Sequence, residues 1–260
     1  MAHGPDTEEL LQRIANATTQ VDVSRLNITS LPDLPDGVQK LYCTETQLTS
    51  LPKLPAGLRE LWCSNTHITS LPALPDRLQE LSCWNTPITS LPDLPAGLQM
   101  LYSSHTHITS LPALPVGLHL LSCWNTHITS LPTLPAGLRW LFCQFTQIKS
   151  LPALPAGLRE LDCSNTSITS LPDLPVGLQD LDCSNTPLIL QRNDNESVPD
   201  YNLRWKLWRE EQEELASKQR IQATTRLLKE DIIASAWHPD RFQEWCLDED
   251  EKRENEMLFD

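Results

Sequence analysis

The chain has 260 residues, of which 40% are hydrophobic and only 6% are aromatic, so its core is expected to be large and mostly aliphatic. The formal net charge of −14 is shared about equally between residues 1–190 and 191–260. A negative charge on both parts of the chain argues against nucleic acids and anionic membranes as partners, because both attract basic surfaces. No basic segment followed by an apolar run opens the sequence, and no stretch approaches about 18 apolar residues, so neither a signal peptide nor a membrane span is expected.

Residues 1–20 are expected to form an N-terminal helical cap, because the end of a stacked array of repeats exposes its core. Asp6, with Glu9 three residues later, resembles a capping box at the start of a helix. Leu10, Leu11 and Ile14 are expected to form one apolar face of that helix.

Residues 21–190 form a periodic array, in which a half-unit (21–30) precedes eight full units of 20 residues without insertion or deletion. Two inward positions, such as Leu61 and Cys63, are two residues apart and predict a short strand, with residues 60, 62 and 64 pointing outward. Stacked units then form a parallel sheet. One unit contributes the series LxxLxCxxTxIxxLPxLP, which matches the leucine-rich-repeat pattern and consists of Leu58, Leu61, Cys63, Thr66, Ile68, Leu71 and Leu74.

Two prolines in each unit, such as Pro72 and Pro75, exclude a helix from the return path and favour extended, polyproline-like chain. A glycine precedes most strands, but Arg77 replaces it in one unit, so a positive φ is not obligatory there. The predicted fold is an α/β repeat solenoid, a leucine-rich-repeat horseshoe with a parallel β-sheet on its concave face, a polyproline-like convex side and helical caps. The LPxLPxxLxxL unit of 20 residues resembles the repeat of bacterial leucine-rich-repeat effectors of Yersinia, Shigella and Salmonella.

The remainder of the chain is predicted to contain a linker, 191–200, and a C-terminal helical segment, 201–260. The linker is polar and ends in Pro-Asp, whereas 201–221 and 223–237 carry apolar residues at helical spacing. Together with an acidic stretch after Pro239, these segments predict two or three helices. The run from Ala236 to Glu251, which includes Trp237-His238-Pro239, resembles a C-terminal segment of leucine-rich-repeat proteins of large DNA viruses of amoebae.

Cysteine and threonine recur at fixed positions of the unit and are interpreted as structural. In-register parallel neighbours do not converge as a disulfide requires, and a straight line of thiols does not provide the tetrahedral set that zinc prefers. The cysteines are therefore expected to be buried thiols in a reducing compartment, the cytoplasm, and the host's cytoplasm if the protein is viral or secreted by a pathogen. They are Cys43, Cys63, Cys83, Cys123, Cys143, Cys163 and Cys183, with Ser103 at the equivalent position of the remaining unit.

Histidine also recurs, at His67, His107 and His127, with His105 nearby. Three imidazoles are in principle enough for a zinc site, but no carboxylate or thiol is placed to complete it. We therefore interpret them as histidines at the rim of the sheet and expect neither a metal nor another cofactor.

Aromatic residues occupy outward strand positions in the first six units, although the core does not require them there. Exposed apolar patches usually mark interaction sites, and Trp and Tyr are enriched at binding hot spots. An open alternative is that the aromatic residues cover one another or pack under a folded-back terminus. The last two units instead carry Glu160, Asp162, Asp180 and Asp182, so a partner with apolar and basic surface would suit this face. The predicted partner-binding residues are Tyr42, Trp62, Trp84, Tyr102, His105, Trp124, Trp140, Phe142 and Phe145.

The predicted function is protein–protein interaction rather than catalysis, with no cofactor and no small-molecule substrate, and with host proteins as targets if the chain comes from a virus or another pathogen. The alternative is a cysteine-dependent ubiquitin ligase, since Cys246-Leu247-Asp248 resembles the Cys-x-Asp active site that follows similar repeats in bacterial effectors. Against it, Glu249 and Asp250 would raise the pKa of a nucleophilic thiol at Cys246. A third interpretation is a structural component of a virion.

Overall fold

A computed structural model of the protein describes residues 5–188, 190–191 and 196–236. The described elements are a helix α1 (Pro5–Ala15), nine short strands and a helix α2 (Val198–Ala236). The chain divides into two compact units, Met1–Leu203 and Arg204–Asp260. The strands are β1 (Gln20–Asp22), β2 (Lys40–Tyr42), β3 (Glu60–Trp62), β4 (Glu80–Ser82), β5 (Met100–Tyr102), β6 (Leu120–Ser122), β7 (Trp140–Phe142), β8 (Glu160–Asp162) and β9 (Asp180–Asp182).

The nine strands form one parallel sheet in which spatial order follows sequence order. Each strand residue pairs with the residue 20 positions later, as Leu41 does with Leu61 and Leu61 with Leu81. One 20-residue unit is therefore one turn of a solenoid, which confirms the predicted leucine-rich-repeat class. The chain returns from each strand to the next without an intervening helix in the described segment 23–188, as the paired prolines predicted.

The core is built from the same few positions of every turn. The middle residue of each strand, for example Leu61, is fully buried, and so is the cysteine that follows the strand, Cys63. The residues on either side of Leu61 are partly exposed, which confirms the predicted alternation over the strand itself. Residue 64 does not continue that alternation, because Ser64 is buried and its hydroxyl bonds the hydroxyl of Ser82 at 2.6 Å.

Threonine closes the turn at the carboxyl end of each strand from β2 to β9. The hydroxyl of Thr66 donates to the carbonyl of Cys63 at 2.8 Å, and Thr126 donates to Cys123 at 2.7 Å. The equivalent bond recurs in all eight full units, so the predicted structural role of the threonine ladder is confirmed. The carbonyls that accept these bonds, in chain order, belong to Cys43, Cys63, Cys83, Ser103, Cys123, Cys143, Cys163 and Cys183.

A second turn returns the chain to the next strand. The amide of Leu58 donates to the carbonyl of Pro55 at 3.0 Å, and this bond recurs in the other full units. No glycine of the described residues has a positive φ, so Arg77 is accommodated at the position that is otherwise glycine. Limited space favours glycine where the turns are tight: a Cβ at Gly37 would lie 3.2 Å from the carbonyl oxygen of Thr18, and one at Gly117 would lie 3.3 Å from that of Ala96.

The seven cysteines of the array are buried and free, as predicted. The Cys63 thiol donates to the carbonyl of Ser82 at 3.4 Å, and the Ser103 hydroxyl makes the equivalent bond to Ser122 at 3.2 Å. Serine can therefore replace cysteine once in the ladder without losing the bond. Burial raises the pKa of Cys83 and Cys123 to about 12, because a thiolate would have no solvent around it.

Helix α1 differs in two respects from its prediction. Its apolar face consists of Leu10 and Ile14, which are four residues apart, whereas Leu11 lies about 100° around the helix and is 49% exposed. Asp6 and Glu9 do not form a capping box. The Asp6 carboxylate instead accepts the amide of Asn27 at 3.0 Å, and Glu9 pairs with Arg13.

Helix α2 runs without interruption from Val198 to Ala236, where two separate helices were predicted over 201–221 and 223–237. No proline or glycine lies between residues 200 and 236 to break it. Its start also overlaps the predicted linker, 191–200. The Ser197 hydroxyl accepts the amide of Asp200 at 3.2 Å, so Ser197 caps the helix, and proline is tolerated in its first turn.

Residues 237–260 lie outside the described residues, and with them lie most of the segment that resembles viral proteins and Cys246 of the ligase alternative. Within the described part of the chain, neither helix combines the length and the hydropathy needed to cross a bilayer.

The buried thiols predict a specific loss of stability at alkaline pH. An unfolded thiol ionises above its ordinary pKa of about 9, whereas a folded one resists up to about 12, so stability is full below pH 9 and falls between these values. Each thiol contributes a slope of up to about 1.4 kcal/mol per pH unit. Urea unfolding at pH 8, 9 and 10 should show a shallower decline for Cys123→Ser than for the wild type. Equal slopes would show that Cys123 ionises as readily in the folded protein as in the unfolded chain.

Candidate functional site

A residue in the left-handed conformation follows every strand, three positions after the last residue of that strand. Its φ lies between 51° and 65° in all nine cases. Asparagine tolerates this conformation better than other non-glycine residues, and it occupies five of the nine positions. The residues are Arg25, Glu45, Asn65, Asn85, His105, Asn125, Phe145, Asn165 and Asn185. The recurring asparagine marks this position in the sequence, but the asparagines were not among the predicted site residues.

The side chains at these positions form a ladder of neighbouring pairs along the edge of the sheet. The Asn85 amide donates to the Asn65 side-chain carbonyl at 2.7 Å, and Asn185 donates to Asn165 at 3.2 Å. Nδ2 of Asn125 lies 2.7 Å from Nδ1 of His105, and Nδ1 accepts because an amide nitrogen only donates.

Phe145 occupies the same conformation with φ 55° and is 54% exposed. An aromatic side chain cannot make the local hydrogen bonds that asparagine makes in the left-handed region. The backbone strain at Phe145 is therefore not offset by a local hydrogen bond. Strained residues often lie at functional sites. The backbone strain and the exposure of Phe145 therefore support its place among the candidate site residues.

On the outward side of the strands, which we call the sheet face, large and small residues alternate. In one turn Trp62 is followed two residues later by Ser64, and in the next turn Ser82 is followed by Trp84. The alternation continues with Tyr102 and Ser104 and then with Ser122 and Trp124. Because residues 20 apart are stacked in register, each large side chain has a small neighbour in the adjacent turn.

This alternation produces an aromatic-walled cavity of about 510 Å³, which we call the anchor pocket. The serines of its floor are buried, and their hydroxyls are already bonded. Ser82 bonds Ser64 at 2.6 Å, and Ser122 bonds Ser104 at 2.8 Å. The pocket therefore combines an aromatic wall with serine hydroxyls that already bond neighbouring hydroxyls, which suits an apolar side chain, while Thr44, Glu45 and Asn65 line its polar edge. Its defining residues are Trp62, Ser82, Trp84, Tyr102, Ser122 and Trp124.

Edge-to-face contacts hold the aromatic walls in place. His105 stands between Trp84 and Trp124, with ring centroids 5.6 and 4.0 Å away and interplanar angles of 83° and 78°. Tyr42 contacts Trp62 in the same manner at 5.7 Å. Rings fixed in this way lose little conformational entropy when a partner covers them, which favours binding.

Tyr42 also donates its hydroxyl to Glu60 at 2.6 Å. Burial and this carboxylate raise the pKa of Tyr42 to about 12, since both disfavour the phenolate. Lys40 in turn pairs with Glu60 at 2.7 Å. These bonds fix the ring of Tyr42 against Trp62 at the N-terminal end of the sheet face, on β2 and β3.

A polar groove, which we call the loop groove, runs beside the left-handed residues. It contains cavities of about 420 and 610 Å³. Asn85, His105 and His107 line both cavities, so His105 connects the loop groove to the anchor pocket. The rings of His107 and His127 are 6.1 Å apart and tilted by 38°. Within the described ranges, no three His, Cys, Asp or Glu side chains are grouped closely enough to hold a metal ion.

The structure thus distributes the nine predicted partner-binding residues over three places. Four of them, Trp62, Trp84, Tyr102 and Trp124, line the anchor pocket, and two are in contact with it, Tyr42 and His105. Phe145 lies in the loop groove. Trp140 and Phe142 lie on β7, partly exposed, and line none of these three cavities. The serine floor and the asparagine ladder were not predicted.

The last two strands change the sheet face from apolar to acidic. Glu160 pairs in register with Asp180, and Asp162 with Asp182, so like charges stand side by side. Asp162 is half-buried, and desolvation, together with the carboxylates of Asp182 and Asp180, raises its pKa, although the amide and hydroxyl of Ser164 act in the opposite direction.

Comparison with known structures agrees with this architecture. YopM from Yersinia enterocolitica is 33% identical, with a TM-score of 0.60 over 69% of this chain and 44% of its own. The leucine-rich-repeat domain of a Shigella effector is 29% identical, with a TM-score of 0.58 over 64% of this chain and 80% of that domain. This chain is a leucine-rich-repeat protein of the 20-residue LPX type, similar to bacterial leucine-rich-repeat effectors.

The cysteine ladder of this leucine-rich-repeat protein also has a counterpart. InlJ from Listeria monocytogenes, whose functional domain includes a cysteine ladder, is 27% identical, with a TM-score of 0.60 over 67% of this chain and 41% of its own. The chain thus spans less than half of the Yersinia enterocolitica YopM structure and less than half of the InlJ structure. No protein-family model and no curated protein sequence matches it.

The strained conformation at Phe145 predicts that its replacement stabilises the protein. Phe145→Asn should raise the free energy of unfolding by roughly 1 kcal/mol, because asparagine tolerates the left-handed region and the exposed ring contributes little burial. The matched control, Asn165→Ala, should lower the same quantity by a similar amount. Urea unfolding measures both variants. A less stable Phe145→Asn protein would mean that packing of the ring outweighs backbone strain.

Proposed function

We propose that this protein binds a protein partner through the sheet face, which was predicted to be the concave side, and that the anchor pocket receives an apolar side chain of that partner. The observation that carries the proposal is the pocket itself. Three tryptophans and a tyrosine surround a floor of serines whose hydroxyls are already bonded to each other. Binding of an apolar group to such a surface is favourable, because the group displaces water from the aromatic rings.

The alternative that the aromatic residues merely cover one another accounts poorly for this arrangement. Trp62 remains 41% exposed although it contacts Tyr42. The small residues at positions 82 and 122 also leave space between the rings, where larger residues would have closed it. Self-covering aromatic residues would be expected to fill that space rather than to enclose it.

The similarity to YopM and to the Shigella effector domain supports an interaction module that a pathogen uses against its host. We place the protein in a cytoplasm, and in that of the host if it is secreted or viral. Seven thiols that lie close together in the folded array are open to random pairing until folding buries them, and a reducing compartment prevents that pairing.

The proposal is tested by affinity capture from amoebal and mammalian cell lysates with three forms of the full chain. The wild type should retain a partner that Trp84→Ala/Trp124→Ala loses, with at least about a tenfold fall in affinity, because aromatic residues in central pockets dominate binding energy. The matched control is Val116→Ala/Val176→Ala, which removes side chains that are 83% and 98% exposed and lie away from the sheet face.

A partner that binds the tryptophan variant as well as the wild type would exclude the anchor pocket as its site. Loss of binding in the valine control as well would indicate that the outer side of the solenoid is the binding surface. Circular dichroism of each variant separates loss of binding from loss of folding.

We further propose that α1 and the first turns of α2 close the two ends of the array, so that residues 1–20 and the start of 201–260 act as caps around the repeats of 21–190. Arg13 donates to the carbonyl of Asp22 at 2.8 Å, beside the Asp6 bond to Asn27. At the other end, Tyr201 donates to the carbonyl of Leu190 at 2.9 Å, and Asn202 to that of Leu174 at 3.1 Å.

Amide hydrogen exchange tests whether α1 caps the N-terminal end of the array. Leu10→Ala/Ile14→Ala should accelerate exchange in β1 and β2, because removing buried side chains opens a cavity beneath the first turn. Leu11→Ala is the matched control, since Leu11 is exposed and its loss should leave exchange unchanged. Unchanged exchange in the double variant would show that α1 does not protect the array.

A further inference from the structure

The chemistry of the sheet face changes along the solenoid in a fixed order. The first residues of successive strands form a row that is charged in β2 to β4, apolar in β5 to β7 and acidic in β8 and β9. In chain order this row consists of Lys40, Glu60, Glu80, Met100, Leu120, Trp140, Glu160 and Asp180. The row beside it ends in Phe142, Asp162 and Asp182, so an apolar stretch leads directly from the anchor pocket to the acidic end.

The acidic end carries a free-energy cost that a partner could offset. Like charges directly opposite each other on a sheet destabilise it, and two such pairs occur here, Glu160 with Asp180 and Asp162 with Asp182. Asp162 and Asp182 accept the amides of Ser164 and Ser184 at 3.0 and 2.9 Å. No ion pair of these four carboxylates is found in the described part of the chain. A cationic group placed over β8 and β9 would therefore be attracted to the four carboxylates and would reduce the repulsion between them.

We infer that the occupant of the sheet face is an extended peptide segment of the partner, which places one large apolar side chain in the anchor pocket and basic side chains over the four carboxylates of β8 and β9. This inference rests on the proposed function and adds the chemistry of the segment to it.

The geometry of the sheet sets the spacing between the two features of this segment. The anchor pocket is centred between β4 and β5, and the acidic end between β8 and β9, which is four strand intervals or about 19 Å at the usual spacing of strands. An extended chain advances about 3.3 Å per residue, so about five or six residues separate the apolar anchor from the basic group. The intervening residues cross Leu120, Trp140 and Phe142 and should be small or apolar.

Two other occupants are disfavoured by charge. A second copy of this chain carries a net charge of −14, and residues 237–260 of the chain itself contain nine acidic and three basic residues. Either would bring carboxylates toward the carboxylates of β8 and β9. A basic segment of another protein is the occupant that the charges favour.

The test is selection of random dodecapeptides displayed on phage against the intact, immobilised protein. Enriched sequences should contain a large apolar residue and, five or six positions from it in either direction, two basic residues. Fluorescence anisotropy with a synthetic peptide of the enriched sequence should show roughly fivefold weaker binding to Asp162→Asn/Asp182→Asn, and a weaker dependence on salt. The matched control, Asp33→Asn/Asp93→Asn, changes the net charge equally on exposed residues of the return path and should bind like the wild type.

The outcomes separate this inference from the proposed function. Peptides that need Trp84 and Trp124 but carry no basic preference would overturn the inference and leave the proposed function intact. Peptides that bind the tryptophan variant as well as the wild type would count against both. A synthetic peptide of residues 237–260 that outcompetes the selected sequences would identify the chain's own tail as the occupant and would overturn the inference. Failure to enrich any sequence would exclude an extended segment as the ligand.

Discussion

The whole architecture depends on the register that pairs every strand residue with the residue 20 positions later. Parallel hydrogen bonding in this register stacks each side chain on its equivalent in the next turn, so one solution to the packing problem is reused along the array. Leucine stacks on leucine in the core, thiol on thiol in the ladder, and the threonine hydroxyl closes the same turn eight times. An exposed residue that departs from the repeat is therefore not required by the core and is available for another role.

The departures are concentrated on the sheet face and at the left-handed position. Trp62 and Ser82 occupy equivalent places, as do Trp84 and Ser64, and their alternation creates a pocket that uniform stacking would have filled. His105 stands where asparagine is usual, and its ring holds Trp84 and Trp124 apart. In the last two turns the same register brings carboxylates together, which the core does not require. The residues that the turns share stabilise the fold, and the residues that differ between turns form the proposed binding surface.

The fold could be predicted from the sequence because every turn carries the same pattern of residues. Leu61, Cys63 and Thr66 lie close together in the sequence, and eight copies of this pattern show which positions face the core. The pocket could not be predicted in the same way, because it depends on which neighbour in the next turn covers Ser64 or Ser82. The helices lie outside the repeat and were less well predicted. Leu11 was assigned to the wrong face, Asp6 bonds Asn27 rather than capping its own helix, and α2 begins at Val198 because Ser197 caps it.

The central claim, that the sheet face rather than the outer side of the solenoid recognises a partner, is tested most directly by hydroxyl-radical footprinting of the protein alone and in complex with its captured partner. The account predicts that the partner protects Trp62, Tyr102 and Trp124 from oxidation and leaves Val116 and Val176 unchanged. Protection of the two valines, with the aromatic residues oxidised as in the free protein, would contradict it.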